Sequence, residues 1–394
     1  MTFEPLRIGV ITAAFNYTGV ALAQVRFARA LAERGHRVEL IFGTVDLDQL
    51  PAGKTGLPEV PGVRVLDWNV TRARSMLAPL CAYLRQSRPD IVFSAEDQLN
   101  DMVLIAAIAT RSRAKISGSS RVFPLDALGH DGPYSTRPFT RKWVFKQVTS
   151  ALMGRADALT CVSEQLVQAY RKLFPRGPHV CVYNINVDAQ SRERAAEPLD
   201  HPWFQREGPP VVTGAGTLTL RKGWGDLIRA IAELRDRGRH VRLAILGEGP
   251  MRAELEKLVR DLALEDRVWL AGRVENPLKY FARSPVSALA SYSEGLANVI
   301  VESMLCGCTP VATNCPSGPA EVLGHGRYGY IVPMHDPAAL ATGIESALDR
   351  PIAPELLHEA IKRFEADAVV DRHFEILGLA TGASRRDGAR TQTG

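Results

Sequence analysis

The sequence predicts an α/β protein made of two doubly wound units, each a parallel sheet covered by helices on both faces. Short apolar runs alternate with segments of helical periodicity from one end of the chain to the other, a pattern typical of parallel sheets. A polar, proline-bearing stretch at 187–208 interrupts this alternation, which then restarts. With 394 residues, the chain is long enough for two domains of ordinary size.

The first half contains the elements expected of one such unit. Apolar runs typical of strands occur at 7–12, 37–42, 63–66, 90–94, 114–118, 158–162 and 180–183. Helical periodicity is clearest at 21–34, 72–86, 99–110, 141–153 and 164–174. Residues 1–186 are therefore predicted to form the first unit, with 187–208 as a linker.

The second half repeats the pattern. Its predicted strands are 211–216, 241–246, 267–272, 286–291, 309–313 and 328–332. The last helical segments run from about 353 to 379, and the polar residues after them predict a disordered tail at 381–394. The second unit is thus expected at 209–380. In such a pair of units, a ligand is expected at the carboxyl ends of the strands, in the cleft between the units.

Composition narrows the range of functions. Apolar residues make up 46% and charged residues 23%, and no window of 18 apolar residues predicts a membrane-spanning helix. The N-terminus lacks the basic start of a secretory signal, so a cytoplasmic protein is expected. The net charge of +5 suits an anionic small molecule or an anionic membrane surface, and no nucleic-acid-binding motif accompanies it. The six scattered cysteines lack zinc-ligand spacing and are expected to be reduced core thiols.

The segment 289–323 carries the strongest chemical signal. A strand is predicted to end at Ser291, Gly295 permits a tight turn, and a helix follows from about Leu296. The first amides of that helix, near Asn298 and Val299, are donors at the positive end of a helix dipole. Such a helix end is suited to binding phosphate.

Two carboxylates flank this predicted helix start. Glu294 lies just before the helix and Glu302 lies two turns into it. Because Glu302 interrupts an apolar run, its carboxylate is expected to point inward and to accept hydrogen bonds. Vicinal ribose hydroxyls would satisfy it, and so would an internal arginine or a backbone donor. The residues alone leave both readings open.

The segment 289–323 also carries a family resemblance. Its pattern S-x-x-E-G-L, followed by E-x-M-x-x-G-x-x-P-V-A-T, resembles the signature of the retaining family 4 glycosyltransferases of the GT-B fold. Segments 216–234, 245–274 and 31–40 are similar to further parts of that family. The resemblance implies two Rossmann-like domains, the first binding an acceptor and the second a nucleotide sugar, with the last helix returning to the first. Segment 314–323 resembles the variant found in enzymes that extend cell-surface glycans.

The resemblance implies a role for each matching residue. Glu302 would bind the ribose of the nucleotide sugar, Glu294 would face the hydroxyls of its sugar, and Lys222 would neutralise the diphosphate as it leaves. The backbone at Arg273 and Val274 would lie near the base. The donor-binding residues implied in this way are Gly19, Thr217, Arg221, Lys222, Val274, Glu294, Gly295, Leu296, Asn298, Val299 and Glu302.

Two donor-site positions depart from the family pattern. Thr217 stands where the family has a phosphate-binding arginine, and the nearby Arg221 is the expected substitute. The loop after the first strand is glycine-rich in the family, whereas here it has only Gly19, preceded by Thr18. Both Thr18 and Gly19 are nevertheless expected near the donor.

A third departure concerns the reacting sugar. Ala95 stands where the family often has a histidine after the fourth strand. Glu96 is the candidate catalytic substitute, with Asp97 and Asn100 beside it, although solvated residues at a strand end would show the same pattern. The catalytic residues expected are therefore Glu294, Lys222 and Glu96.

The segment 137–155 is basic and predicted to be helical. Its apolar face, expected to pack on the sheet, is formed by Val144, Phe145, Val148 and Leu152. The opposite face carries Lys142, Trp143 and Lys146. A tryptophan between lysines suits the headgroup region of an anionic bilayer. A helix packed on the sheet with its charges in water fits the pattern equally well.

The resemblance implies retaining transfer of a hexose or N-acetylhexosamine from a nucleotide sugar, a UDP-sugar being favoured, to a glycan or lipid-linked acceptor. Such acceptors belong to cell-surface polysaccharide or lipopolysaccharide biosynthesis, at the inner face of the cytoplasmic membrane. The family is thought to use a front-face displacement in which the leaving phosphate takes the acceptor proton. No protein base, metal or other cofactor is therefore expected. A nucleotide-sugar epimerase of the same fold and a non-catalytic scaffold are the alternatives.

Overall fold

Two parallel sheets organise the chain, and each belongs to a separate unit. A computed structural model describes residues 4–15, 19–45, 56–70, 72–121, 139, 141–205 and 207–380. The first unit comprises Met1–Ile185 with Ala366–Gly394, and the second comprises Asn186–Glu365. The predicted tail at 381–394 lies outside the described residues.

In the described part of the first unit, the sheet has seven parallel strands in the order β3-β2-β1-β4-β5-β6-β7. These strands are β1 (Arg7–Phe15), β2 (Arg37–Val45), β3 (Val63–Asp67), β4 (Ile91–Ala95), β5 (Lys115–Ser120), β6 (Ala158–Cys161) and β7 (His179–Cys181). The helices are α1 (Gly19–Glu33), α2 (Leu77–Gln86), α3 (Asp97–Thr110), α4 (Arg141–Met153), α5 (Glu164–Leu173) and the C-terminal α14 (Ala366–Ile376). Strand order reverses direction beside β1, which is the doubly wound arrangement.

The described part of the second unit has six parallel strands in the order β10-β9-β8-β11-β12-β13. They are β8 (Val211–Ala215), β9 (Arg242–Leu246), β10 (Val268–Gly272), β11 (Val286–Leu289), β12 (Thr309–Thr313) and β13 (Tyr330–Val332). The helices are α6 (Ala189–Ala196), α7 (Trp224–Asp236), α8 (Arg252–Asp261), α9 (Leu278–Phe281), α10 (Asn298–Leu305), α11 (Pro319–Val322), α12 (Pro337–Asp349) and α13 (Pro354–Ile361). Together the two sheets confirm the predicted α/β GT-B architecture of two Rossmann-like units.

The central strands are buried because helices cover both faces of each sheet. In the first unit, Ile8 packs in a cluster with α1 and α14, whereas Ile11 packs on the other face with α2 and α3. Helix α14 joins the first cluster through Phe374 and is held to α1 by Arg34, which pairs with Asp371 at 2.6 Å. Strands buried on both faces have nearly continuous apolar sequences, so these strands could be predicted from the sequence.

The segment 187–208, predicted as a linker, is folded as part of the second unit. It contains α6, whose N-terminus is closed by a capping box in which Asp188 Oδ1 accepts from the Ser191 amide at 2.8 Å. The Asn276 side chain donates to the carbonyl of Arg194 at 2.7 Å. The polar residues from which a linker was predicted thus serve as helix caps and hydrogen-bond partners.

Helix α4 buries a different face from the predicted one, apart from Leu152, which packs against the core of the first unit. Its buried residues are Thr149, Ser150 and Met153. The other three apolar residues predicted to pack on the sheet are about half exposed: Val144 (51%), Phe145 (48%) and Val148 (52%). The Thr149 hydroxyl donates to Asp101 Oδ2 of α3 at 3.3 Å, so a polar contact orients the helix and leaves an apolar strip on the surface.

Candidate functional site

A glycine holds the loop between β8 and α7 close to the end of β11. Residues Leu220–Lys222 form a short 3₁₀ turn, and Gly223 follows with a φ of +64°. A Cβ atom at Gly223 would lie 2.0 Å from the carbonyl oxygen of Ala290, so only glycine fits this approach. The Tyr292 amide donates to the carbonyl of Arg221 at 2.8 Å. The loop therefore brings two cationic side chains to the carboxyl edge of the second sheet.

Glu294 is the buried centre of this edge. Its Oε1 accepts from Lys222 Nζ at 2.6 Å and from the Ser291 hydroxyl at 2.6 Å. Arg221 Nη1 lies 3.5 Å from Glu294 Oε2 and donates to the carbonyl of Ser293 at 2.6 Å. The side chains of Glu294 and Lys222 are only 8% and 13% exposed. One carboxylate thus joins both basic residues of the loop.

The charge of Glu294 is set by competing effects. Burial alone would raise its pKa, but the Lys222 ammonium, with help from Ser291 and Arg221, outweighs burial and holds the pKa of Glu294 below its ordinary value. The carboxylate is therefore ionised at neutral pH. The sequence assigned Glu294 to sugar hydroxyls and Lys222 to a diphosphate, and the structure places the two side chains in direct contact.

Helix α10 begins at Asn298, two residues later than predicted, after Ala297 with a left-handed φ of +64°. A hydrogen bond joins the turn before α10 to the turn that contains Ser317. The Ser317 hydroxyl donates to the carbonyl of Gly295 at 2.7 Å. Gly318 follows with a φ of +101° and packs directly on the backbone of Leu296, in the turn that precedes α10. The sequence reading missed the Ser317 contact, although the Pro-Ser-Gly sequence there was a turn signal.

The predicted phosphate-binding amides lie in the first turn of α10. Leu296 and Ala297 are buried, whereas Asn298 and Val299 are half-buried. These amides therefore sit at the partly exposed end of an eight-residue helix, four residues beyond Glu294. The loop cations, Glu294 and this helix start all follow strands that end at one edge of the sheet.

The other predicted donor residues are more dispersed. Glu302, in the second turn of α10, is half-buried. The apolar run around it predicted a more deeply buried side chain. The carbonyl of Thr217 accepts from Trp224 Nε1 at 3.0 Å, which holds the loop after β8. Val274 packs in a small apolar cluster of the second unit. Gly19 opens α1 in the first unit, and Thr18 lies outside the described residues.

Two of the polar residues after β4 hold the first sheet together. Asp97 accepts from the Ser120 hydroxyl at 2.6 Å and from the Tyr170 hydroxyl at 2.5 Å. Asn100 Oδ1 accepts from the Ser94 hydroxyl at 2.7 Å. These contacts make Asp97 and Asn100 structural residues and leave Glu96 as the candidate for chemistry.

Glu96 combines exposure with unusual backbone geometry. It caps α3 with a φ of +90°, a value that is costly for a residue with a side chain. Its Oε1 accepts from the Thr12 hydroxyl at 3.4 Å. The protein around the carboxyl group desolvates it and raises the pKa of Glu96, while Thr12 and the Arg121 guanidinium oppose that shift less strongly. A strained, partly desolvated carboxyl at a strand end is a functional-site candidate.

A tyrosine that the sequence reading did not consider braces the loop of Arg221. The Tyr292 hydroxyl donates to Asp226 Oδ2 in the first turn of α7 at 2.8 Å. Its ring stacks on His335, with centroids 4.0 Å apart. His335 has a φ of +58°, a conformation that no sequence pattern predicts for histidine. Tyr292 thus connects the loop, α7 and the end of β13.

Two structural features bear on cofactors and membranes. Among the described residues, no group of three or more His, Cys, Asp or Glu side chains is arranged to hold a metal ion. Within the same part of the chain, no helix is both long enough and apolar enough to cross a bilayer.

Both units match models of known protein families. The family model "Glycosyl transferases group 1" matches residues 197–365, and the model "Glycosyl transferase 4-like domain" matches residues 18–184. The fold resembles that of HepE from Anabaena, solved in complex with UDP and glucose, with a TM-score of 0.69, 19% identity and coverage of 94% of this chain and 99% of that one.

Relatives of known name are also similar. The N-acetylgalactosamine-N,N'-diacetylbacillosaminyl-diphospho-undecaprenol 4-alpha-N-acetylgalactosaminyltransferase of Campylobacter jejuni is 36% identical over 209 residues, which cover 52% of this chain and 54% of that enzyme. The match thus spans about half the length of that relative. The 2-deoxystreptamine glucosyltransferase of Streptomyces kanamyceticus is 27% identical over 383 residues, covering 90% of this chain and 96% of that enzyme. With its two matching domains and its two Rossmann-like sheets, the chain belongs to the family 4 glycosyltransferases of the GT-B fold.

Proposed function

We propose that the protein is a retaining glycosyltransferase that moves a hexose or N-acetylhexosamine from a UDP-sugar to a lipid-linked glycan during surface-glycan biosynthesis. The observation that carries this proposal is the contact of Lys222 with Glu294 at 2.6 Å, beside Arg221 and the first turn of α10. This edge combines cations for a diphosphate with an ionised carboxylate for sugar hydroxyls. The Campylobacter relative is named for a diphospho-undecaprenol acceptor and HepE was solved with UDP, which supports these two substrate classes.

The proposed chemistry assigns each group a separate task. Lys222 and Arg221 stabilise the negative charge that develops on the diphosphate as its bond to the anomeric carbon breaks. Glu294 accepts hydrogen bonds from the donor sugar and fixes the position of that carbon. The acceptor oxygen attacks from the face that the phosphate leaves, and the departing phosphate takes its proton. Configuration is then retained without a protein base.

The donor site is proposed to work without a metal ion. Its positive charge comes from Lys222, Arg221 and the amides at the start of α10. Glu302, half-buried in the second turn of α10, is proposed to bind the ribose hydroxyls. Glu96 in the first unit is proposed to contact the reacting sugar or acceptor.

We further propose that α4 docks the enzyme on anionic lipid at the inner face of the cytoplasmic membrane. Its exposed apolar strip consists of Val144, Phe145 and Val148, with Phe139 (92% exposed) preceding the helix. The helix sequence RKWVFKQVTSALM contains three basic residues and no acidic one. An apolar strip flanked by cations matches the interface of an anionic bilayer, where a lipid-linked acceptor would be found.

The proposed activity is tested by incubating the protein with radiolabelled UDP-sugars, with and without a lipid-diphosphate-linked glycan. We expect labelled glycolipid only when the acceptor is present, with the anomeric configuration of the donor kept in the product. Formation of an epimeric UDP-sugar without acceptor would instead identify an epimerase. Binding of UDP-sugars without either product would identify a non-catalytic scaffold.

A further inference from the structure

A polar cavity lies inside the first unit, at the carboxyl ends of β4 to β7. Its polar lining comes from Ser94, Ser119, Thr160, Asn184 and Arg121. It encloses about 20 Å³, which is room for one water-sized group. Arg121 is half-buried as a whole residue, and its guanidinium is desolvated. The cavity has room for one oxygen of a larger ligand but not for the whole ligand.

Among the described residues, no carboxylate forms an ion pair with the Arg121 guanidinium, and Glu96 acts on it only from a longer distance. Its Nη1 donates to Asn184 Oδ1 at 2.7 Å, but its Nε is buried without a hydrogen-bond partner. Burial lowers the pKa of Arg121 to about 10, and the Glu96 carboxylate opposes this from outside hydrogen-bonding distance. The group is still a cation at neutral pH. A desolvated cation with one neutral hydrogen-bond partner and a buried, unbonded Nε is costly to keep in a folded protein.

The residues that line the cavity determine which kind of ligand group it suits. His373, which also lines the cavity, is held neutral because burial lowers its pKa to about 3, with the Arg121 charge acting in the same direction. Of the lining residues that the structure describes, Arg121 is therefore the only one with a charged side chain. Gln24 Oε1 also lines the cavity and is buried without a donor. The cavity thus offers a cationic fork, several hydroxyls and one unused acceptor, a combination suited to an oxyanion with a neighbouring hydroxyl.

We infer that Arg121 binds a phosphate oxygen of the acceptor substrate at the mouth of this cavity. The inference rests on the proposed function, since it identifies the phosphate of a lipid-diphosphate-linked glycan as the group that the first unit recognises. The planar fork of arginine matches a phosphate group better than a lysine does. The donor diphosphate is already assigned Lys222 and Arg221 in the second unit, so Arg121 is assigned to the other substrate.

The kinetic test compares Arg121→Met and Arg121→Lys with Arg113→Met, which removes an exposed arginine of the same unit. Two acceptors are used: the glycan on its lipid diphosphate, and the same glycan without phosphate. We expect Arg121→Met to raise the KM for the diphosphate-linked acceptor at least tenfold, with Arg121→Lys intermediate and Arg113→Met unchanged. The KM for the phosphate-free acceptor and for the donor should not move. Equal losses with both acceptors, a raised donor KM or no effect would overturn the assignment.

A binding test separates this inference from the proposed activity. Inorganic pyrophosphate is titrated by calorimetry into the protein saturated with UDP, and the measurement is repeated with Arg121→Met and Arg113→Met. We expect binding to the parent and to Arg113→Met, and at least a tenfold weaker binding to Arg121→Met. Pyrophosphate that binds all three proteins alike, or none of them, would mean that the cavity holds an internal water only. Failure to transfer any sugar while the pyrophosphate difference persists would count against the proposed function alone.

Discussion

Lys222 Nζ lies 2.6 Å from Glu294 Oε1, and the two side chains are almost completely buried. The residues are 72 positions apart in sequence, and each comes from a loop that follows a strand of the second sheet. This ion pair holds the buried Glu294 carboxylate in its ionised form. Both the stability of the second unit and the arrangement of the site therefore depend on the same contact.

Removing one partner of this ion pair should destabilise the protein more than removing both. Lys222→Met leaves the Glu294 carboxylate buried with Ser291 and a more distant Arg221, and we expect a loss of about 3–5 kcal/mol in the free energy of unfolding. The double variant Lys222→Met with Glu294→Gln should recover most of that loss. Urea denaturation measures the free energy of unfolding of each variant. The control is Lys257→Met, whose exposed pair with Asp261 should contribute less than about 1 kcal/mol. Equal losses in Lys222→Met and in the control would show that the pair is not a structural contact.

The same pair predicts a pH dependence of stability. The folded protein holds the pKa of Glu294 below its ordinary value of 4.5, so the ionised form stabilises the fold. That contribution is complete above pH 4.5 and is lost as the pH falls through the lowered pKa of the folded state. The melting temperature of the parent should therefore exceed that of Glu294→Gln by a constant amount at neutral pH. The difference should shrink in acid. A difference that stays constant into strong acid would contradict the pKa assignment.

The sequence predicted most of the fold because its strands are buried on both faces. Strand β1 is buried from Ile8 to Thr12 and β12 is buried throughout, and strands covered on both faces of a parallel sheet show such near-continuous apolar runs. Helix α4 was misread because periodicity identifies an apolar face but not the surface it meets. In the structure, Thr149 turns towards Asp101 and leaves Val144 outside. A polar contact between two helices has no periodic signature.

The candidate site was partly predictable. Glu294 and Lys222 stood out as a motif, but their direct contact depends on the close approach of Gly223 to Ala290, which joins two distant segments. Arg121 gave no signal at all, since a single arginine after a strand is ordinary. Its interest arises only from a cavity built by four strands.

Chelation should not abolish activity. The proposed site meets the diphosphate with Lys222, Arg221 and the first turn of α10, so no divalent cation is needed to neutralise the leaving group. We expect initial rates in excess EDTA to stay within about twofold of the untreated enzyme. A loss of turnover that Mn²⁺ or Mg²⁺ restores would show that this assignment of the phosphate site is wrong.

The strip on α4 should bind vesicles that contain acidic lipid. Replacing Val144, Phe145 and Val148 by serine removes apolar surface that is already exposed, so binding should be lost while the melting temperature stays unchanged. Reversing the charge of Lys142 and Lys146 should weaken binding and remove its sensitivity to salt. The matched control reverses Lys257 and Arg260, two exposed residues of α8. Sedimentation of all variants with the vesicles to the same extent would exclude α4 as the docking surface.

Changing Glu302 or Glu294 to glutamine should alter different kinetic constants. Glutamine keeps the size of the side chain and removes its charge. Glu302, if it holds the ribose hydroxyls, binds the donor equally in the ground state and the transition state. Charge-assisted hydrogen bonds worth about 1.5–3 kcal/mol are then lost, and the donor KM should rise about ten- to a hundredfold with kcat little changed. Glu294 faces the sugar in the proposed mechanism, so its loss should chiefly lower kcat.

Melting curves separate these kinetic effects of Glu302→Gln and Glu294→Gln from effects on stability. Glu302 is half-buried, so Glu302→Gln should melt close to the parent, whereas Glu294→Gln loses the pair with Lys222 and should melt earlier. A normal donor KM in Glu302→Gln would remove the ribose assignment, since the half-buried position of the residue then has no link to the nucleotide.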